Sequence, residues 1–264
     1  MKTCFITGAT SGIGRACAER FAKEGYNLIL NGRQKPRLIE LKAQLEAQYG
    51  VVVTPLVFDV RDRDAIETAI ASNQYVSDAL NALHPEDGID VLINNAGLAL
   101  GLDKEYEGSL DDYDTMIDTN IKGLLYITKG IVPAMVKRGK GHVINIGSVA
   151  GDVAYPNGSV YCATKAAVKA LSDGLRMDLA DTPIRVTNIK PGLVETNFSV
   201  TRFHGDKARA DKVYQGIQPL TAADIADVVY YAASAPAHVQ IAEVLVLATH
   251  QANGTIIART NSTM

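Results

Sequence analysis

The chain has 264 residues, 47% of them hydrophobic, which suffices for one large domain with a well-buried core. Its 26 basic and 29 acidic side chains leave a net charge of −3 and no basic stripe, which argues against a nucleic-acid partner. Cys4, Cys17 and Cys162 are odd in number and form neither a CxxC nor a Cys/His pattern, so reduced thiols and no metal are expected.

The amino end carries no basic, apolar and cleavage-site sequence of the secretory type, and no apolar run approaches membrane-spanning length. A cytoplasmic protein with no membrane partner is expected. The first apolar run predicts a strand over Cys4 to Thr7, followed by GATSGIGRA at Gly8 to Ala16 and a helix over Ile13 to Glu24. Three glycines between a strand and a helix clear the approach to unpaired helix N–H groups, where an anion is well held. The spacing G-x-x-x-G-x-G is neither G-x-G-x-x-G nor the Walker form, and by itself it fits a tight turn as well as a phosphate site. Next come a strand at Asn27 to Asn31, a helix at Pro36 to Gln48, a strand at Val51 to Phe58 and a helix at Arg63 to Leu83. Strands at Val91 to Asn94, His142 to Ile146 and Arg185 to Ile189 alternate with helices at Tyr113 to Val136 and Val160 to Leu179. A helix at Ala222 to Ala235 and a strand at Glu243 to Leu247 complete the pattern.

This alternation predicts an α/β fold of one domain: a doubly wound, seven-stranded parallel sheet with helices on both faces. Ligands of such sheets bind beyond the carboxyl ends of the strands, where the first glycine turn lies. Residues 1–250 form the expected catalytic domain, with a mobile lid at about 193–215. The tail 251–264 is either an arm crossing to a neighbouring subunit or a frayed end.

Further along stand NNAG at Asn94 to Gly97, Gly147-Ser148, YCATK at Tyr161 to Lys165, and Pro191-Gly192. With T-G-x-x-x-G-x-G at Thr7 to Gly14, the chain resembles the short-chain dehydrogenase/reductase family over essentially its whole length, with the Rossmann fold that this implies. Tyr161 and Lys165 share one helix face, so the lysine charge sits near a phenol that ordinarily titrates at about 10. That charge and an oxidised nicotinamide are expected to draw the phenol toward neutrality, ready to exchange a proton with a substrate oxygen. By resemblance, Ser148 orients the reacting carbonyl, and Asn120 in TNIKG holds a water for proton relay. An asparagine at such a place also ties a helix kink to a neighbouring loop.

The resemblance further implies that a nicotinamide cofactor lies along Gly8, Thr10, Ser11, Gly12, Ile13 and Gly14. Asp59 and Val60 would flank the adenine, and Asn94, Ala96 and Gly97 the ribose side. Tyr161, Lys165, Pro191, Gly192, Val194 and Thr196 would complete the site. At the end of the second strand, where NAD users of this family carry an aspartate, stand Gly32 and then Arg33, which can fork onto a 2′-phosphate. NADP(H) is the expected cofactor, with Arg33 its discriminator.

The lid segment LVETNFSVTRFHGDKARADKVY is polar and charged, with Phe198 and Phe203 among Arg202, His204, Lys207 and Arg209, which suits an anion better than a greasy guest. NNAGLALG, DTNIKGL, GHVINIGS and PGLVETNFSVTRFHGD together resemble the 3-hydroxy acid dehydrogenase branch, with serine and allo-threonine dehydrogenases and malonic semialdehyde and sulfoacetaldehyde reductases. The resemblance implies interconversion of a small acidic aldehyde or ketone, of the malonic semialdehyde, sulfoacetaldehyde or 2-aminomalonate semialdehyde type, with its hydroxy acid. Ser148 and Tyr161 would meet the substrate oxygen. Arg202 would hold the anion unless it forms a salt bridge to the surface, and Arg259 would add a second cation from the tail. The alternatives are reduction of another small carbonyl or a 3-oxoacyl substrate, and a non-catalytic nicotinamide sensor on the same fold. Family members form homotetramers through the helices after the fourth and fifth strands. Val168, Leu171, Leu175 and Leu179 follow a helical period that suits either such a seam or the monomer core.

Overall fold

The computed structural model describes residues 1–82, 84 and 86–260. Its strands are β1 (Thr3–Ile6), β2 (Asn27–Gly32), β3 (Val53–Val57), β4 (Ile89–Asn94), β5 (His142–Ile146), β6 (Arg185–Pro191) and β7 (Glu243–Val246). All pair in parallel in the order β3-β2-β1-β4-β5-β6-β7, so the chain reverses its direction of growth between β1 and β4. The carboxyl ends of those two strands therefore open a crevice.

Successive strand residues point to opposite faces, and in this sheet both faces are apolar. Cys4 and Ile6 face one core together with Leu28, Leu30, Val91 and Ile93, covered by helices α1 (Gly12–Lys23) and α2 (Lys35–Tyr49). Phe5, Ile29, Leu92 and Val143 face the other, covered there by α3 (Arg63–Ser72) and α4 (Gln74–Asn81). The single helix expected over Arg63 to Leu83 is thus two. Asn73 is extended and its side chain accepts from Val76 N at 3.2 Å, so it caps a second helix instead of continuing the first; Leu83 lies outside the described residues.

The helix expected over Tyr113 to Val136 is also interrupted. It runs as α5 (Leu110–Ile117), a π-helical turn over Asp118–Gly123, and α6 (Leu124–Arg138). Such turns insert a residue into the helix ladder, and this one brings Asn120 inward. Gly123 closes against the β3 exit: a Cβ there would stand 2.8 Å from Val60 Cγ2. Helix α7 (Ser159–Asp178) follows a short 3-10 turn, Val149–Gly151. The lid segment holds two short helices, α8 (Phe198–Arg202) and α9 (Lys207–Lys212), before α10 (Ala222–Ser234) returns to the α1 face.

The tail neither frays nor leaves the molecule over the described residues. Ala258 N donates to His250 O at 2.8 Å and Thr260 N to Gly216 O at 2.9 Å, so residues 251–260 fold back onto the end of the lid. Residues 261–264 lie outside the described ones. Among the described residues no helix is long and apolar enough to cross a membrane.

Candidate active site

A cleft of about 2220 Å³, counting its open mouth, runs along the carboxyl ends of the sheet from Gly32 and Arg33 to the lid. Its first wall is the glycine turn. Gly8 and Gly12 have φ of +64° and +52°, which side-chain-bearing residues rarely adopt, and a Cβ on Gly8 would stand 3.1 Å from Ala96 Cα. Ser11 begins α1 without a side-chain cap and no acidic residue occupies the first turn, so the helix presents bare N–H groups to the cleft.

Gly8, Thr10, Ser11, Gly12 and Ile13 line the cleft as expected, whereas Gly14 does not. A Cβ on Gly14 would fall 2.4 Å from the Gly8 carbonyl and from Asn95 Nδ2, so this glycine lets the helix pack against the turn. The side chain of Asn94 also points elsewhere: its amide donates to Thr128 Oγ1 at 3.1 Å and to Asn145 Oδ1 at 2.9 Å, tying β4 to its neighbours. Asn95, one position on, is the cleft residue. It donates to Thr7 O and Gly8 O at 2.9 and 3.2 Å and braces the glycine turn.

Arg33, Asp59 and Val60 line the far end. Burial alone would raise the Asp59 carboxyl, but hydrogen bonds from Arg61 and the charges of Arg61 and Arg33 hold it below the usual carboxylate range. Ala96, Gly97, Pro191, Gly192, Val194 and Thr196 line the middle. Gln251, which sequence reading left in a loose tail, is buried there, and its Oε1 accepts from Leu193 N at 2.9 Å. Its signal is tertiary: the glutamine fits only because Gly192 has no Cβ, which would lie 2.2 Å from that oxygen.

The chemical end gathers Ser148, Tyr161 and Lys165, all buried to a tenth or less of full exposure. Ser148 starts the 3-10 turn, and its Oγ accepts from Ala150 N at 3.1 Å. One helical turn apart on α7, Lys165 Nζ stands 6.0 Å from the Tyr161 ring centre and donates to Ile146 O at 2.8 Å. Burial lowers the lysine from 10.5 to about 8. Burial raises Tyr161 above its ordinary value, with Tyr155 adding to the rise, while the Ser148 hydroxyl and the Arg202 charge act downward.

Asn120 is buried with its side chain committed. Its Nδ2 donates to Leu98 O at 2.8 Å and Thr164 Oγ1 at 3.0 Å, and its Oδ1 accepts from Leu98 N at 2.8 Å. The side chain is therefore the tie between the π-helical turn and the loop after β4.

Of the basic side chains of the lid only Arg202 lines the cleft; His204, Lys207, Arg209 and Lys212 are exposed, and His204 meets Asp112 at 3.0 Å. Phe198, Phe203, Val213 and Tyr214 line the inner side of the lid instead, so its charge is largely on the outside. The Arg202 guanidinium lies 5.7 Å from the Tyr161 ring centre. Its Nε donates to Gly101 O at 3.0 Å and its Nη1 to Tyr155 OH at 2.9 Å, so no surface salt bridge absorbs it. Tyr155 went unread in the sequence because its partner is 47 residues away. Arg259 lines the mouth, but its Nη2 donates to Val213 O at 3.0 Å and its Nη1 to Gln215 O, which makes it a strap on the lid of its own chain.

A family model described as short chain dehydrogenase matches residues 2–207. The chain is 44% identical over 261 residues to the NADP-dependent 3-hydroxy acid dehydrogenase of Schizosaccharomyces pombe, covering 98% of this chain and 96% of that one. It is 43% identical over 248 residues to sulfoacetaldehyde reductase 2 of Chromohalobacter salexigens, covering 94% of each. Among solved structures, the closed form of serine dehydrogenase complexed with NADP+ superposes with a TM-score of 0.87 at 42% identity, covering 98% of this chain and 100% of that one. On the glycine turn, the Ser148, Tyr161 and Lys165 cluster and these matches together, the chain belongs to the short-chain dehydrogenase family.

Proposed function

We propose that this chain uses NADP(H) to interconvert a small acidic aldehyde or ketone, of the malonic semialdehyde, sulfoacetaldehyde or 2-aminomalonate semialdehyde type, with the corresponding hydroxy acid. It is an oxidoreductase acting on CH–OH groups, and relatives named as NADP-dependent agree with the cofactor end of its cleft. That end fits the group: a glycine cradle that a Cβ would fill, bare α1 N–H groups for a diphosphate, and Arg33 for a 2′-phosphate. A Cβ at Gly32, the first atom of an NAD-selecting aspartate, would press on Thr10 Cγ2 at 2.7 Å.

NADP(H), when bound, supplies or accepts the hydride. The chain's own groups position the substrate and handle the proton. Ser148 donates its hydroxyl to the substrate oxygen and holds the carbonyl beside Tyr161. The Tyr161 hydroxyl gives that oxygen a proton in reduction and takes one back in oxidation. Lys165, one turn along the helix, supplies positive charge that steadies the phenolate left behind. Asn120 keeps the loop at Leu98 and the kinked helix in place around them.

The observation that carries the acidic substrate is Arg202. Its Nε and one Nη1 hydrogen are taken by Gly101 and Tyr155, which fixes the guanidinium beside Tyr161 and leaves the Nη1–Nη2 edge for a carboxylate or sulfonate. Lid residues 193–215 then close a water-poor space over the reacting carbonyl. The three thiols are free and buried, in keeping with a cytoplasmic location.

The test compares Arg202→Ala with wild type on malonic semialdehyde or sulfoacetaldehyde and on a neutral aldehyde of similar length. A charge-assisted contact of about 1.5 to 3 kcal/mol corresponds to a loss of roughly tenfold to a hundredfold in kcat/KM on the anions alone. Equal losses on both, or a wild type that prefers the neutral aldehyde, would remove the acidic-substrate reading.

A further inference from the structure

We infer that Arg61 sets the preference for a 2′-phosphorylated nucleotide without lining the cleft, by occupying Asp59 and so leaving Arg33 free for the phosphate. The inference rests on the NADP(H) reading above.

Asp59 stands between two arginines of unequal reach. From Arg61, the backbone N–H reaches Oδ1 at 3.0 Å, Nε reaches both oxygens at 3.1 Å, and Nη2 reaches Oδ2 at 2.7 Å. Three N–H groups of Arg61 thus occupy both oxygens of the carboxylate, the single Nε hydrogen being shared between them. Arg33 Nη1 is left at 3.7 Å from Oδ2, too far for a hydrogen bond, with its side chain 64% exposed. Arg33 and Asp59 line the cleft, whereas Arg61 does not. The charge of Asp118 also acts on Arg61, and Asp118 is itself paired with Lys122 at 2.8 Å.

Two cations thus face one anion at the nucleotide end, and the cation that touches the cleft is the one that makes no hydrogen bond to it. Without Arg61, Arg33 faces a carboxylate with open lone pairs, close enough to meet by side-chain rotation. The guanidinium fork would then be shared between Asp59 and a phosphate that needs the same donors. Specificity would fall although no phosphate ligand had been removed.

Calorimetric titration with adenosine 2′,5′-bisphosphate and with AMP separates these effects from catalysis, and kcat/KM with NADPH and NADH follows the same ratio. Arg61→Met is expected to bind the bisphosphate about tenfold more weakly while AMP changes by less than about twofold, a loss the size of one charge-assisted contact. Asp59→Asn combined with Arg61→Met is expected to recover most of the ratio, because the competing carboxylate is gone. Arg61→Lys keeps the charge but not the fork, and is expected to stay well below wild type. Equal weakening of both nucleotides by Arg61→Met, a double variant as poor as the single, or full recovery with lysine would each overturn the inference. A wild type that does not discriminate the two nucleotides sinks the NADP(H) reading itself. A discriminating wild type matched by Arg61→Met sinks the Arg61 inference alone.

Discussion

Lys165 shows how one buried charge shapes the chemistry. Burial favours its neutral form, so it gives up its proton as pH rises through about 8, well below the 10.5 of a free lysine. The help that its positive charge gives Tyr161 is present below that value and lost above it. Tyr161, raised by burial, stays protonated over the same span. Reductive kcat/KM is therefore expected to be level below pH 8 and to fall above it, and a profile flat to pH 10 contradicts this role. Over pH 8 to 10.5 the unfolded chain binds the Lys165 proton and the folded chain does not, so this group adds stability as pH climbs and the lost rate is not lost fold. Ser148, Tyr161 and Lys165 were legible in the sequence through the family resemblance of Gly147-Ser148 and YCATK, since a Tyr-Lys pair one helical turn apart or a serine after a strand would not single them out alone. Asn94 was misplaced because a strand end turns adjacent side chains opposite ways, and only Asn95 bonds the glycine turn. The burial that raises the Tyr161 phenol is not displayed by the sequence.

Elements were legible in kind and order, less so in their breaks. The strands stand within two residues of their expected bounds because runs such as Val91 to Ile93 are buried on both sides. The break at Asn73 goes with one side-chain cap and the turn at Asp118–Gly123 with the three hydrogen bonds of Asn120, which no periodicity reports. Of the helical row, Val168 and Leu179 are buried, Leu175 packs against the core cluster that holds Leu179, and Leu171 is half-buried. A different set is exposed on the same pair of helices, with Leu125 and Val136 on α6 and Met177 on α7 open to solvent at 41%, 39% and 75%. We propose that these faces, and not the Val168 row, meet in a homotetramer. Light scattering at micromolar concentration should give four times the 28.2 kDa chain mass, and Leu125→Asp should lower it. A monomeric wild type would contradict the assembly while leaving the fold and site untouched.

At the scale of the whole molecule, the parallel sheet and the crevice between β1 and β4 follow from alternation and right-handed crossovers. What alternation does not convey is which side of a lid faces inward. Composition made the lid cationic, whereas folding turned Lys207 and Arg209 outward and set Phe198 edge-on to Tyr161 at 5.7 Å. The docking of the tail onto Gly216 was equally unreadable, since it depends on where the lid comes to rest. The central claim is proton exchange at Tyr161 beside an NADP(H) that runs along the same cleft from Arg33. Its most direct test follows NADPH absorbance during reduction of malonic semialdehyde or sulfoacetaldehyde by wild type and Tyr161→Phe, with NADPH binding checked by fluorescence. The expected result is turnover with NADPH well above that with NADH, and unchanged binding but a roughly 10²- to 10⁴-fold slower rate for the phenylalanine variant. Reduction at wild-type rate without the Tyr161 hydroxyl, or equal use of NADH, would contradict it.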